Sequence, residues 1–287
     1  MREPGSGATL LLAGPLQPER VPGPRRIALT GIPHAIALAI GLAATAAWAE
    51  VRVERSTVKS GAIDVPIEVA IPDGKGPFPA VLYVHARRGF EDPDRDHIRT
   101  LAGQGFLVVA PDWQSGRFIE RWPKSHDPET EGDVEAALDA LLARPEACKG
   151  PAGIVGYSRG GYYAIRLAAR RPGDVAAIAT YAGHMQNPNA NEPDQLFGVA
   201  PEILKITAPT LFLVGDQDYE LRRMNIGRAF YALHERGVPV ELQAYPMARR
   251  AFDFRADPTP EERIAAAHAR ERVRAWLGRW VCSRPAR

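Results

Sequence analysis

The sequence predicts an α/β fold, with a mostly parallel central sheet flanked by helices on both faces. Three observations support this. Short, continuous apolar runs rich in β-formers recur along the chain, the pattern of strands buried on both faces. Segments with 3.6-residue apolar periodicity separate them, as helices covering such a sheet would. A glycine-rich segment, Gly156-Tyr157-Ser158-Arg159-Gly160-Gly161, joins one apolar run directly to one helical segment.

Taken in order, the residues from Val51 to Ile71 alternate and lead into Pro72-Asp73-Gly74. That pattern predicts an antiparallel edge strand or hairpin ahead of the parallel set. Predicted parallel strands follow at 80–84, 106–110, 153–155, 176–181, 210–214 and 238–242. Between and after them, Val134/Leu138/Leu141/Leu142, Ile226/Phe230/Leu233 and Val273/Trp276/Leu277/Trp280 form helical stripes. No internal repeat or linker divides 50–287, which reads as one domain.

Residues 1–49 read as a leader and signal peptide: Arg25 and Arg26 precede an apolar stretch over 35–46, which runs into Ala47-Trp48-Ala49 before Glu50. The stretch is too short to span a bilayer stably. The expected product is therefore exported, periplasmic or secreted, and cleaved near Ala49/Glu50, without stable membrane insertion. The long Pro- and Gly-rich lead before it suggests a start further along, for instance at Val21. Cys148 and Cys282 are an even pair in a chain bound for an oxidising compartment, and both a disulfide and two free thiols fit their spacing. The formal net charge of +2 is small and the basic residues are scattered, which sets nucleic acid aside as a partner. The expected partner is a small molecule, and the chain is a monomer or homodimer.

The turn around Ser158 carries the chemistry. Between a strand and a helix, G-x-S-x-G lifts the serine hydroxyl above the sheet edge, and the glycines let the backbones pass. The N–H of Arg159 then points at the same place, where the helix N-terminus favours a developing negative charge. A second donor is expected from the loop His85-Ala86-Arg87-Arg88-Gly89 after the first parallel strand, with the Arg87 N–H as candidate. His85 fits better as a strand-end residue ordering that loop than as a base.

These residues, with Ala110-Pro111-Asp112, Gly215-Asp216-Gln217-Asp218 and Tyr245-Pro246 through Phe252, resemble the dienelactone hydrolase family from about Val53 to Val281. The resemblance implies an α/β-hydrolase fold and a nucleophile, acid and histidine that open lactones or small esters. The family often has cysteine where this chain has Ser158. Asp218 matches the family's acid, with Asp216 as a nearby alternative. The histidine of the family falls on Arg250, and Ala251 replaces the following glycine. Arginine stays protonated and has no lone pair to accept the serine proton, so it cannot serve as general base.

Of the seven histidines, His34 falls in the signal, His97, His234 and His268 fall on helices, and His126 falls in a polar loop. His184 follows the strand next to the Ser158 strand, so it emerges at the same sheet edge and is the best replacement base. Arg250 can instead pair bidentately with Asp218. Loops at that edge also bring Arg87, Arg88, Arg117, Arg121, Arg159 and Arg250 together with Trp113, Phe118 and Trp122. Guanidiniums beside aromatics suit an anionic ligand with an apolar body, although pairing to Glu91, Asp92, Asp94 and Glu120 fits equally well. No metal or cofactor motif is present, so none is expected. Two readings follow: a serine hydrolase of a small, anionic ester or lactone, or a catalytically silent relative that binds a small molecule or protein.

Overall fold

The structure, a computed structural model, describes residues 51–282. The expected leader and signal peptide, with His34, lie outside them. The chain opens with a hairpin, β1 (Arg52–Ser60) and β2 (Ile63–Ile71), turned at Gly61 with φ of 57°. Then follow β3 (Ala80–Val84), α1 (Asp92–Gly103), β4 (Leu107–Pro111), α2 (Glu129–Leu142), β5 (Ala152–Tyr157), α3 (Arg159–Arg170) and β6 (Val175–Tyr181). A short helix α4 (Pro193–Phe197), β7 (Thr210–Gln217), α5 (Glu220–Glu235), β8 (Val240–Arg249) and α6 (Pro260–Trp280) complete the chain. None of these helices is long and apolar enough to cross a membrane.

The eight strands form one sheet in the order β1-β2-β4-β3-β5-β6-β7-β8. β2 runs antiparallel to β1 and β4, and the other pairs are parallel. The hairpin is thus an antiparallel edge to a parallel set, as its alternation predicts. Two cores form, one on each face. Val134, Leu138, Ile165, Ile226 and Leu233 from α2, α3 and α5 pack with Leu82, Ile154 and Phe212. Ile98, Leu101, Val273 and Leu277 from α1 and α6 pack with Val81, Tyr83 and Val155 on the other face.

The order reverses at β3, which has β4 on one side and β5 on the other. Chains leaving such a switch point diverge and leave a crevice beyond the carboxyl ends of the strands. Here β3 leads into His85 and β5 into Ser158, so both loops open on that crevice.

The last two strands run further than their apolar cores indicate. β7 continues to Gln217 and β8 to Arg249, through a register shift at Gly215/Gln217. Gly215 makes this possible: a Cβ there would lie 2.2 Å from the Ala248 carbonyl oxygen. The end of β8 is held by α6, whose capping-box residue Glu262 is fully buried. Its carboxylate accepts from Arg249 Nε and Nη2, each at 2.7 Å, and from Arg249 N–H at 3.0 Å. The Arg249 guanidinium and these backbone bonds hold the Glu262 carboxyl down at about 2.

Cys148 and Cys282 are joined in a disulfide, with Cα atoms 5.9 Å apart across 134 residues of sequence. A loop of that length, left open in the unfolded chain, would cost about 5 kcal/mol in the chain-entropy account.

Candidate active site

The turn after β5 is a nucleophile elbow in its geometry. Ser158 sits at φ 48°, ψ −107°, a backbone strain of about 1–3 kcal/mol for a non-glycine residue. The flanking glycines make room for it. A Cβ on Gly156 would meet the Gly160 carbonyl oxygen at 2.5 Å, and one on Gly160 would meet that of Val84 at 1.9 Å. Three backbone bonds fix the turn: Ser158 N–H donates to Tyr181 O at 2.9 Å, and Ser158 O accepts from Gly161 and His184 N–H at 2.9 and 2.8 Å. Arg159 begins α3, and the N–H groups of Arg159 and Arg87 donate to no other described residue.

Asp218 follows β7, with its carboxylate fully shielded from solvent, while Asp216 is exposed. The Tyr219 N–H donates to Asp218 Oδ1 at 2.7 Å. Arg250, the residue after β8, stands between this carboxylate and the elbow. Its Nη1 donates to Asp218 Oδ1 and Oδ2 at 3.0 and 3.3 Å, and its Nη2 donates to Ser158 Oγ at 2.7 Å. The two-nitrogen fork expected for Arg250 and Asp218 therefore does not form. One nitrogen serves both carboxylate oxygens, and the other reaches the serine. Arg250 spans the same two partners a triad histidine would, but it only donates. Among the described residues, no group accepts the Ser158 hydroxyl proton.

His184 lines the same cleft with a different partner. Its Nδ1 lies 3.5 Å from Arg222 Nη2, and its buried Nε2 has no hydrogen-bond partner. Burial, followed by the Arg222, Arg159 and Arg250 guanidiniums, pushes the His184 imidazole well below its ordinary 6.5. It stays neutral and weakly basic.

The cleft above Ser158 encloses about 480 Å³. Arg87, Lys124, Arg159, Arg222, Arg250 and Arg255 line it, and no carboxylate does. Arg250 pairs with Asp218, and Arg255 with Asp257. Arg87, Lys124, Arg159 and Arg222 have no carboxylate within ion-pair distance among the described residues. The Arg159 side chain, in a residue only 3% exposed, makes no hydrogen bond. Burial lowers the Arg159 pKa. Burial and then Arg250 push Arg222 down to about 9. Arg87 and Lys124 are exposed and Arg222 is half-buried, so the burial cost of an unpaired cation falls mainly on Arg159, and an anion entering the cleft would relieve it.

The other predicted residues fall into supporting places. His85 is fully buried, its ring stacked 5.0 Å from that of Trp113 and its Nδ1 2.7 Å from Ala86 O. Trp113 Nε1 donates to His85 O at 3.3 Å. Together they order the loop bearing Arg87 without lining the cleft. Three of the six predicted arginines are drawn away by carboxylates: Arg88 by Glu91 and Asp94, Arg117 by Glu129 and Asp133, and Arg121 by Glu91. Arg222, Tyr219, Lys124 and Arg255 are cleft residues that sequence reasoning missed. Arg222 carried a weak signal, since it lies one helical turn beyond Asp218 and so faces the same edge. No group of three or more His, Cys, Asp or Glu residues gathers as a metal site among the described residues.

Among known proteins, a protein of Escherichia coli (strain K12) provisionally named carboxymethylenebutenolidase is 28% identical over 211 residues, covering 67% of this chain and 73% of its own. One from Methylorubrum extorquens with the same provisional name is 26% identical over 215 residues, with 69% and 73% covered. Among solved structures, a dienelactone hydrolase from Anabaena variabilis superposes with a TM-score of 0.61 at 20% identity, over 80% of this chain and 99% of that one. The likeness is one of fold. The family model of the dienelactone hydrolases matches residues 65–281, from the hairpin's second strand to the residue before Cys282. A match of that extent establishes the kinship: this chain belongs to the dienelactone hydrolase family of α/β-fold ester and lactone hydrolases.

Proposed function

We propose that the cleft receives a small carboxylate-bearing ester or lactone, and that Ser158 is the nucleophile facing it. In this reading, Arg250 governs the serine in place of a histidine. The observation that carries the proposal is the cleft's charge: among the described residues, four cations without carboxylate partners line the cavity that also holds Ser158 at its strained elbow. The guanidiniums hold the ligand's carboxylate, and the Arg87 and Arg159 N–H groups receive the carbonyl oxygen. Arg250 stabilises negative charge on Oγ as the serine attacks. It takes no proton, so the hydroxyl proton leaves to solvent and attack is slow. In subtilisin, loss of the triad histidine costs about a millionfold in turnover. The disulfide supports an exported protein, since such bonds persist in oxidising compartments.

A second reading, in which the cleft binds its ligand without turnover, is favoured by the Arg250 bond to Ser158 Oγ. Labelling with a fluorophosphonate probe separates the two, comparing wild type with Ser158→Ala and His184→Ala by intact mass. The proposal predicts slow labelling of wild type that rises with pH, loss of labelling in Ser158→Ala and unchanged labelling in His184→Ala. Folded wild type that never labels favours the binder. Labelling that collapses in His184→Ala would make that histidine the base.

A further inference from the structure

The cleft also carries two large aromatic side chains that the fold leaves in water. Trp122 is 59% exposed and Tyr219 is 70% exposed, and both line the cavity over Ser158. Each has a guanidinium of the same cavity against its ring. The Arg87 guanidinium carbon lies 5.7 Å from the Trp122 ring centroid, and that of Arg250 lies 5.3 Å from the Tyr219 centroid. Neither ring is there by slack in the chain. Trp122 holds a left-handed backbone, φ 60°, and its N–H donates to Arg87 O at 2.8 Å. The strain at Trp122 is thus fixed by the loop that supplies a cation to the cleft. Tyr219 directly follows Asp218, and its N–H is the donor to that carboxylate.

Exposed Trp and Tyr rings at a cavity mouth cost apolar hydration that a ligand's apolar surface would recover. The remaining apolar lining is small, confined to Pro188 and Ala251. A bulky aliphatic body would find little complementary surface. A flat aromatic body would find ring faces, with cations beside them for its charge.

We propose that the ligand class of this cleft is an aromatic carboxylate, bearing its ester or lactone on or beside the ring. This rests on the reading of the cleft as an anion site and narrows it. The carboxylate is taken by Arg159 and Arg222, and the ring stacks against Trp122 and Tyr219.

The test is calorimetric titration of the folded protein with phthalate and with cis-cyclohexane-1,2-dicarboxylate, which match in charge and substitution and differ in the flat ring. Phthalate is expected to bind about tenfold tighter, the order that aromatic pairing supplies. Trp122→Leu and Tyr219→Leu, checked for folding by circular dichroism, should each shrink that preference to about threefold or less while still binding dianions. Equal affinities in wild type, or an undiminished preference in both folded variants, would overturn the aromatic class and leave the anion site standing. Binding of neither compound would overturn both.

Discussion

At the scale of single residues, the proposed chemistry turns on Arg250. A histidine between Asp218 and Ser158 would accept the serine proton on one nitrogen and donate to the carboxylate from the other. The guanidinium keeps the second function and inverts the first, donating to Oγ at 2.7 Å. A pH profile follows from this. His184 is the one imidazole lining the cleft among the described residues, and its pKa is pushed well below 6.5, so it is already neutral throughout the neutral range. Lowering a histidine's pKa moves its titration to acid, out of the window where a triad base would be protonated. Turnover of an anionic aryl ester by wild type should therefore rise with pH from 6 to 9 without an inflection near 6.5, and His184→Ala should follow the same curve. A plateau above about pH 7 that His184→Ala abolishes would contradict this. The elbow at Ser158, the turn bearing Asp218 and the arginine at position 250 were all legible as linear motifs. The partner of Arg250 was only half legible, because the sequence placed it against Asp218 but gave no distance to Ser158. Arg222 was only weakly legible and Tyr219 not at all, since their place in the cleft depends on how α5 leaves the sheet edge.

At the scale of elements, β7 and β8 place the site. Both were found in the sequence by their apolar runs but cut short, because β7 ends on the exposed polar residues Asp216 and Gln217, and the distal half of β8 breaks its apolar run with the adjacent exposed residues Pro246 and Met247. That distal half sets Arg250, since Arg249 on one side is clamped by Glu262 and the next residue faces the cleft. The clamp gives a prediction of its own. The Glu262 carboxyl is depressed from 4.5 to about 2, so its contribution to stability is complete above pH 4.5 and fades as the pH falls toward 2. Across that window, thermal stability of wild type should fall more steeply than that of Glu262→Gln, with the two melting curves converging toward pH 2. Parallel loss in both proteins would show that the clamp contributes nothing. The hairpin edge was readable from alternation, whereas its place beside β4 rather than β3 was not, because strand order is set by packing across the whole sheet.

At the scale of the whole molecule, a formal net charge of +2 hides a strong local field. The basic residues pair widely over the surface, and among the described residues four cations without carboxylate partners gather where the switch point opens the crevice. Composition could not show this, because charge balance over the chain says nothing about where carboxylates are withheld. The fold supplies the crevice, the elbow and a disulfide tying the region after α2 to the end of α6, and the loops decide what the crevice accepts. On the proposed reading, a single side chain, Arg250, keeps an ester-hydrolase frame from fast turnover. The most direct test of that reading is the rate of hydrolysis of an anionic aryl ester by Arg250→His against wild type, with Ser158→Ala as the blank in each background. The expected result is a gain of at least about a hundredfold at neutral pH, the low end of what a positioned general base contributes, with a new inflection in the histidine range. An Arg250→His protein that is folded and no faster than wild type would contradict it.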